Sequence, residues 1–344
     1  MAKSSESLVR ILPAEEIISR GSGEPEPFIW PNRASWFAER SMRLKQLARQ
    51  SGSIGAYIGL IAELVQAQHN CLNDLPEVTV PSAEQIAQAA EHGLPPLSAL
   101  DWQREPIWHE ILHRLLDHLL DADMRGAQAD NIRELLLRIK GLPPVELEVQ
   151  ADQILAGSLS GVDVAAAPFI GAALQVYWVH MVCSDKALRE DSVYLKVSTS
   201  EQTLCPCCAS VPTTSIVHSF GGMAGQRYVV CSLCGLQWYM TRIRCTRCLS
   251  DEVEYMSLTL PDEDVEDENF QAPAIMAESC ASCQTYLKII HTEREPFADP
   301  LADELASIQL DILMGEQQFF KHGLNMLLLL SQADSDDSNP EQVA

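Results

Sequence analysis

Four Cys-x-x-Cys pairs lie between Cys205 and Cys283, and they limit the fold of this chain more tightly than any other feature. The pairs are Cys205/Cys208, Cys231/Cys234, Cys245/Cys248 and Cys280/Cys283. Two cysteines at i and i+3 in a tight turn can offer both thiolates to one ion. A tetrahedral site needs four ligands, so two such turns must meet. A β-hairpin brings its two ends side by side, and residues 215–220 and 226–230 read as two strands around a Gly-rich turn at 221–225. The first pair would therefore meet the second. The second half repeats the plan, with strands at 253–260 and 285–291 and an acidic stretch, 261–268, at the tip. The spacing favours this pairing, although a cross-braced pairing (first with third, second with fourth) also fits it. A four-thiolate tetrahedral site suits zinc or a single iron. The ferredoxin spacing is absent, which argues against a polynuclear iron–sulfur cluster.

The chain has 11 cysteines. Cys207 sits inside the first turn, where it reads as a bystander, with exchange for Cys208 as the alternative. Cys71 and Cys183 lie in apolar helical stretches and read as small buried residues. The N-terminus shows neither the apolar run of a secretory signal nor a twin-arginine motif, so a cytoplasmic, reducing compartment is expected. Structural disulfides are rare there, which again turns the cysteine pairs towards metal.

The 344 residues carry 48 Asp and Glu against 24 Lys and Arg, a formal net charge of −24. Such a surface repels phosphate, so no nucleic-acid partner is expected. No formally charged residue falls between Asp163 and Asp185. That stretch holds Pro168, Gln175 and His180 and reads as a buried helix, with no stable membrane insertion. Apolar periodicity predicts helices over 34–49, 54–65, 107–120, 131–139, 145–155 and 164–183, and again over 301–330. In the first of these, Trp36, Phe37, Leu44 and Leu47 face one way, and Arg40, Arg43 and Arg49 take polar positions. The expected architecture is multidomain. An all-α helical domain (1–190) leads into two small rubredoxin-like, zinc-ribbon β modules (191–243 and 244–295). A C-terminal helical segment with a polar tail (296–344) closes the chain.

One motif competes with this reading. His109-Glu110-Ile111-Leu112-His113 matches the HExxH pattern of zinc proteases, and helical spacing sets both histidines on one face. His118 comes too early for the longer metzincin pattern, and Leu115 stands where that pattern needs glycine. A solvated helix face explains the motif better. No nucleophile-elbow, Walker or dinucleotide motif appears.

With these residues in place, the chain resembles the FdhE family of formate dehydrogenase accessory proteins. In the helical part the likeness rests on Phe37, Arg40, Arg43-Leu44, Leu47-Ala48, Tyr57, Ala67-Gln68 and Leu94-Pro95-Pro96-Leu97. In the cysteine part it rests on Cys205-Pro206 and Cys234-Gly235, which match rubredoxin-type turns. The chain departs from that pattern in Cys207 and in lacking glycine after Cys208, Cys248 and Cys283. The resemblance implies a non-enzymatic cytoplasmic maturation factor that binds the catalytic subunit of respiratory formate dehydrogenase before its export. It also implies that Cys205, Cys208, Cys231, Cys234, Cys245, Cys248, Cys280 and Cys283 hold two mononuclear metal ions, iron favoured over zinc, in a structural and redox role. Self-association stays open. The competing readings are a nucleic-acid-binding zinc-ribbon protein, drawn from Arg242, Arg244 and Arg247, and a rubredoxin-like electron carrier.

Overall fold

The computed structural model describes residues 25–122, 128–158, 160–190, 201–219, 223–258 and 272–328. The expected strand at 193–197, the acidic tip at 261–268 and the polar tail lie outside these residues.

Eight of the helices form the N-terminal layer. α1 (Trp36–Ala48) and α2 (Gly55–Leu72) pack as a hairpin, with a 3₁₀ turn at Gly52–Ile54 between them. A Cβ on Gly55 would stand 2.5 Å from the Ala48 carbonyl oxygen, so glycine is what lets the two helices approach. α3 (Ala83–His92) starts with a capping box between Ser82 and Gln85 and stops at Gly93 in the left-handed region. α4 (Ile107–Asp121), α5 (Ala129–Lys140) and α6 (Pro144–Leu155) follow. All of α7 (Ala167–Ser184) from Ala167 to Val182 is buried, with α2, α4 and α6 packed on it. This is the uncharged stretch. It is long and apolar enough to cross a membrane, yet 89% of it is buried within the protein. A helix apolar on every side is what a central core position requires. The short α8 (Lys186–Glu190) ends this layer.

The β-rich part is one sheet of eight strands. β2 (Thr214–Val217), β3 (Arg227–Val230) and β4 (Gln237–Tyr239) make an antiparallel meander, with β1 (Phe28–Ile29) on its edge. β5 (Val253–Met256), β6 (Ile275–Cys280) and β7 (Thr285–His291) make a second. The two meanders join edge to edge, because β2 pairs with β7 in parallel from Thr214 opposite Lys288 to Val217 opposite His291. The two cysteine modules thus share a single hydrogen-bonded sheet.

The predicted C-terminal helix over 301–330 is shorter than expected. It divides into α9 (Pro300–Ala306) and α10 (Ile308–Glu316), and the chain then enters β8 (Phe320–Lys321), parallel to β7. Asp299 caps α9 by accepting the N–H groups of Leu301 and Ala302. Gln318, at a φ of 61°, turns the chain away from the helix, and Lys321 then ties the next segment down. This lysine pairs with Glu304 and lies 3.2 Å from Asp311, while Lys288 on β7 sits 2.7 Å from Asp311 and 3.3 Å from Glu304. This buried group of two cations and two carboxylates holds β8 against α9 and α10. The two lysines, outweighing the effect of burial, hold the Glu304 carboxyl down at about 2.

Arg40 and Arg43 do not face water as their polar positions suggested. Arg40 is fully buried, with Nε 2.9 Å from Asp299 and its guanidinium 4.5 Å from the Trp36 ring centre. Arg43 donates to Asp303 at 2.5 Å and reaches Glu295 at 3.2 Å. These pairs tie α1 to α9, so the end of the described chain closes the helical layer.

A second buried pair joins the two meanders. Arg227 on β3 donates to Glu278 on β6 at 2.6 Å, to Ser215 Oγ at 3.2 Å, and to the carbonyls of Thr241 and Arg244 at 3.1 and 2.9 Å. Removing one partner strands a buried charge. Glu278→Ala should cost about 3 kcal/mol in urea unfolding. The double variant Arg227→Met/Glu278→Leu should recover more than half of that loss. Equal losses in both variants would contradict this account of the pair.

Three histidines outside the cysteine clusters are held neutral. Burial pushes the His180 and His218 rings down, and Arg33 adds to the effect at His180. Burial, with help from Arg294 and Arg242, brings His291 to about 4. An unfolded histidine titrates near ~6.5, so below that pH the unfolded chain binds more protons than the folded one. Thermal stability should therefore fall as pH drops from 7.5 towards 5, and His180→Gln should flatten part of that slope. A melting temperature that does not change over this range would refute the assignment.

Candidate metal centre

Each Cys-x-x-Cys pair sits in the same local turn. The residue after the second cysteine returns its N–H to the carbonyl of the first: Ala209 to Cys205 at 2.8 Å, Gly235 to Cys231 at 3.2 Å, Leu249 to Cys245 at 3.1 Å and Gln284 to Cys280 at 2.9 Å. All four residues occupy the left-handed region, with φ of 61°, 77°, 63° and 54°. The missing glycines therefore leave the turn geometry intact. Ala209, Leu249 and Gln284 adopt it at a cost of about 1–2 kcal/mol each. Gly235 is needed for a further reason: a Cβ there would stand 3.0 Å from both Pro31 and Trp36.

The turns meet in two groups. Cys205, Cys208, Cys231 and Cys234 form one, Cys245, Cys248, Cys280 and Cys283 the other, and within each the sulfurs all lie within 4.8 Å of one another. This is the hairpin pairing and not the cross-braced one. The facing sulfurs are 3.5 Å apart for Cys205–Cys234 and Cys208–Cys231, 3.6 Å for Cys245–Cys283 and 3.7 Å for Cys248–Cys280. Disulfides would need ~2.05 Å. A tetrahedron with ~2.3 Å metal–sulfur bonds has edges of about 3.8 Å, so each group could hold one metal ion.

Electrostatics agree with that fit. Burial pushes Cys205 and Cys234 well above the ordinary thiol range. Burial also opposes ionisation of Cys231, but the surrounding thiols of Cys205, Cys208 and Cys234 donate to it and hold it well below that range. One thiolate can thus be solvated by its neighbours, and four cannot coexist in such a place without a cation. In the second group burial raises Cys245 to about 12. At Cys283 the Thr285 hydroxyl and the Cys245 and Cys248 thiols outweigh burial and bring it to about 7.

The first group is set into the helical layer by contacts that the sequence did not announce. The N–H groups of Leu97 and Ala99 donate to the carbonyls of Cys207 and Cys208 at 3.0 and 2.8 Å. From α7, Gln175 donates to the Ser232 carbonyl at 2.6 Å and accepts from Gln68 at 3.0 Å. Trp178 donates to the Leu97 carbonyl at 3.1 Å. The Pro95-Pro96 dipeptide was the only signal of this clamp, by stiffening the segment that leads to Leu97. Cys207 is buried and lies outside the group of four, against the Cys234 thiol. Cys71 and Cys183 also lie outside both groups.

The HExxH motif gathers no third ligand among the described residues. His109 Nε2 lies 2.9 Å from Glu148 on α6, and that carboxylate also accepts from Trp108 at 2.8 Å and Arg104 at 2.6 Å. The motif is a packing contact between α4 and α6. Arg242 and Arg244 donate to the carbonyls of Gly225 and Leu249, and Arg247 is exposed beside Cys248.

Comparison with known proteins agrees with this architecture. Three family models match in sequence: FdhE N-terminal over residues 25–191, FdhE central domain over 204–242 and FdhE C-terminal domain over 243–328. The chain is 32% identical over 328 residues to a protein FdhE homolog of Serratia proteamaculans, covering 93% of this chain and 98% of that one. A homolog from Yersinia enterocolitica matches with the same identity and coverage. The crystal structure of the FdhE protein from Pseudomonas aeruginosa superposes with a TM-score of 0.70 at 32% identity, over 88% of this chain and 98% of that one. With family models matched over its helical and cysteine-bearing parts and a relative 32% identical over 93% of its length, this chain belongs to the FdhE family.

Proposed function

We propose that this chain is an accessory protein for the maturation of respiratory formate dehydrogenase, acting in the cytoplasm on the catalytic subunit before export, and that it is not itself an enzyme. The observation that carries the reading is the pair of complete four-sulfur groups in a chain of the FdhE family. In this reading Cys205, Cys208, Cys231 and Cys234 ligate one mononuclear ion, and Cys245, Cys248, Cys280 and Cys283 ligate a second. The domain limits that go with it are a helical unit to residue 190, modules at 191–243 and 244–295, and a C-terminal segment from 296.

Iron is the favoured ion. Held by four thiolates it supplies a one-electron couple, whereas zinc in the same cage supplies only folding energy. The protein's own part is to fix the sulfurs at the right separation, exclude water from the first group and present the second group near the surface. The sheet that joins the two modules keeps them at constant separation while a client is bound.

Purified without air, the full chain should carry about two metal ions, one for each four-cysteine group. Two irons should give thiolate-to-iron absorption that bleaches on reduction. Two zincs would restrict the groups to a structural role, and a stoichiometry near zero would refute the ligand assignment. Cells that depend on this chain for formate dehydrogenase activity should lose most of that activity when Cys231→Ser or Cys280→Ser replaces the parent. The tagged chain should also retain the dehydrogenase catalytic subunit. Full activity in both variants, or no retention of the subunit, would overturn the maturation reading.

A further inference from the structure

The two cysteine groups differ in what covers them. In the first, Cys205 is 1% exposed and Cys208, Cys231 and Cys234 are fully buried. The α7 glutamine, the Leu97–Ala99 clamp and the 324–326 segment close around it. Ser232 Oγ and Thr213 Oγ1 both donate to the Leu324 carbonyl, at 3.2 and 3.0 Å. In the second, Cys245 and Cys280 are buried at 6% and 2%, Cys283 is half-buried and Cys248 is exposed. Of the two buried cysteines, Cys280 ends β6 and Cys245 precedes β5, and the two accessible ones belong to opposite turns.

A cleft of about 1080 Å³ opens beside this second group. Its wall includes Cys283, Thr285, Arg247, Lys321 and His322 on one side and the turn of the fully buried Cys208 on the other, so the cleft runs between the two groups and only Cys283 meets it as a partly exposed cysteine. Lys321 is already paired with Glu304 and Asp311, but Arg247 is exposed and makes no side-chain ion pair among the described residues. Most of the surface of a chain of net charge −24 repels anions, whereas Arg247 stands between the two cysteines of one turn on the cleft side, and Glu252 meets Ser282 in the other turn at 2.6 Å.

We propose that the second group is an exchange site, at which an incoming thiolate ligand displaces Cys248 or Cys283, while the first group holds its ion for the life of the fold. The proposal rests on the ligand assignment made above. Cys248 gives up its bond to the ion as the lone pair of the incoming sulfur forms one, and the freed Cys248 thiolate takes a proton from water. No oxidant or reductant is involved. Arg247 raises the local concentration of the anionic ligand, and Cys245 and Cys280 keep the ion attached to the sheet during the exchange. At the first group the same displacement would require the clamp to open, because Cys208 reaches the cleft wall only as a fully buried residue and the other three are at most 1% exposed.

The test uses the full zinc-loaded chain with EDTA and with glutathione, reading metal release by a colorimetric indicator and thiol exposure by iodoacetamide and peptide mass. One equivalent should leave at least roughly 10-fold faster than the other, since only one site is released without local unfolding. Alkylation should reach Cys248 and Cys283 first, with Cys205, Cys208, Cys231 and Cys234 protected until the second equivalent leaves. Arg247→Glu should slow release to EDTA several-fold and leave release to neutral phenanthroline unchanged. Release of both equivalents in one phase would overturn the proposal while leaving the ligand assignment standing, as would early alkylation of Cys205. A chain that takes up no zinc would overturn both.

Discussion

Four sulfur atoms within 4.8 Å of one another, and almost without solvent contact, meet where α7 reaches the sheet. Thiolates in such a place repel one another and have lost their water, so the arrangement is stable as four ligands only around a cation. Much else in the molecule is arranged to keep that spot closed. The uncharged α7 supplies an apolar wall that can lie against the cluster without adding charge. Its one buried amide, Gln175, is used up by the Ser232 carbonyl and by Gln68, so no polar atom in that row competes for the sulfurs. The Leu97 and Ala99 N–H groups satisfy carbonyls of the Cys207–Cys208 turn that burial would otherwise leave unpaired.

The turns themselves store strain. Three of the four place a side-chain-bearing residue at positive φ, which costs about 1–2 kcal/mol each. An ion held by four thiolates contributes on the order of 10 kcal/mol to folding, so the strain is affordable wherever the ion is bound. Only Gly235 is excluded from this tolerance, because Pro31 and Trp36 occupy the space of its missing side chain. The sequence therefore keeps glycine at the turn whose last residue lies against Pro31 and Trp36.

Much of this fold was legible in the sequence because local signals carried it. Apolar periodicity located α1 and α4 to α7 to within a few residues and the start of α2, which runs on to Leu72 beyond the expected 65, and the Cys-x-x-Cys spacing with its hairpins favoured the grouping observed. What stayed hidden depends on partners far away in the chain. Arg40 and Arg43 look like a solvated face, and they are buried because Asp299 and Asp303 arrive some 260 positions later. β6 does not alternate as a half-exposed strand would, since Glu278 faces Arg227 inside the protein. The parallel pairing of β2 with β7 leaves no trace in either strand, so two modules read in sequence proved to be one sheet. The helix expected to run to 330 breaks at Ser307 and ends at Glu316, and beyond it Lys321 pairs with Glu304 and Asp311, an attraction no helical pattern encodes.

The same ion pairs shape what remains outside. Arg40, Arg43, Arg227, Lys288 and Lys321 each spend their charge on a carboxylate within the protein. Each pair removes one cation and one anion from the surface. Because cations are outnumbered two to one, the surface is left more strongly acidic in proportion than the sequence as a whole. Against that field, exposed Arg247 stands in one turn of the second cysteine group, while Glu252 accepts from Ser282 in the other. The accessible cluster thus carries one exposed cation on the cleft side, where Arg247 and Cys283 share a wall.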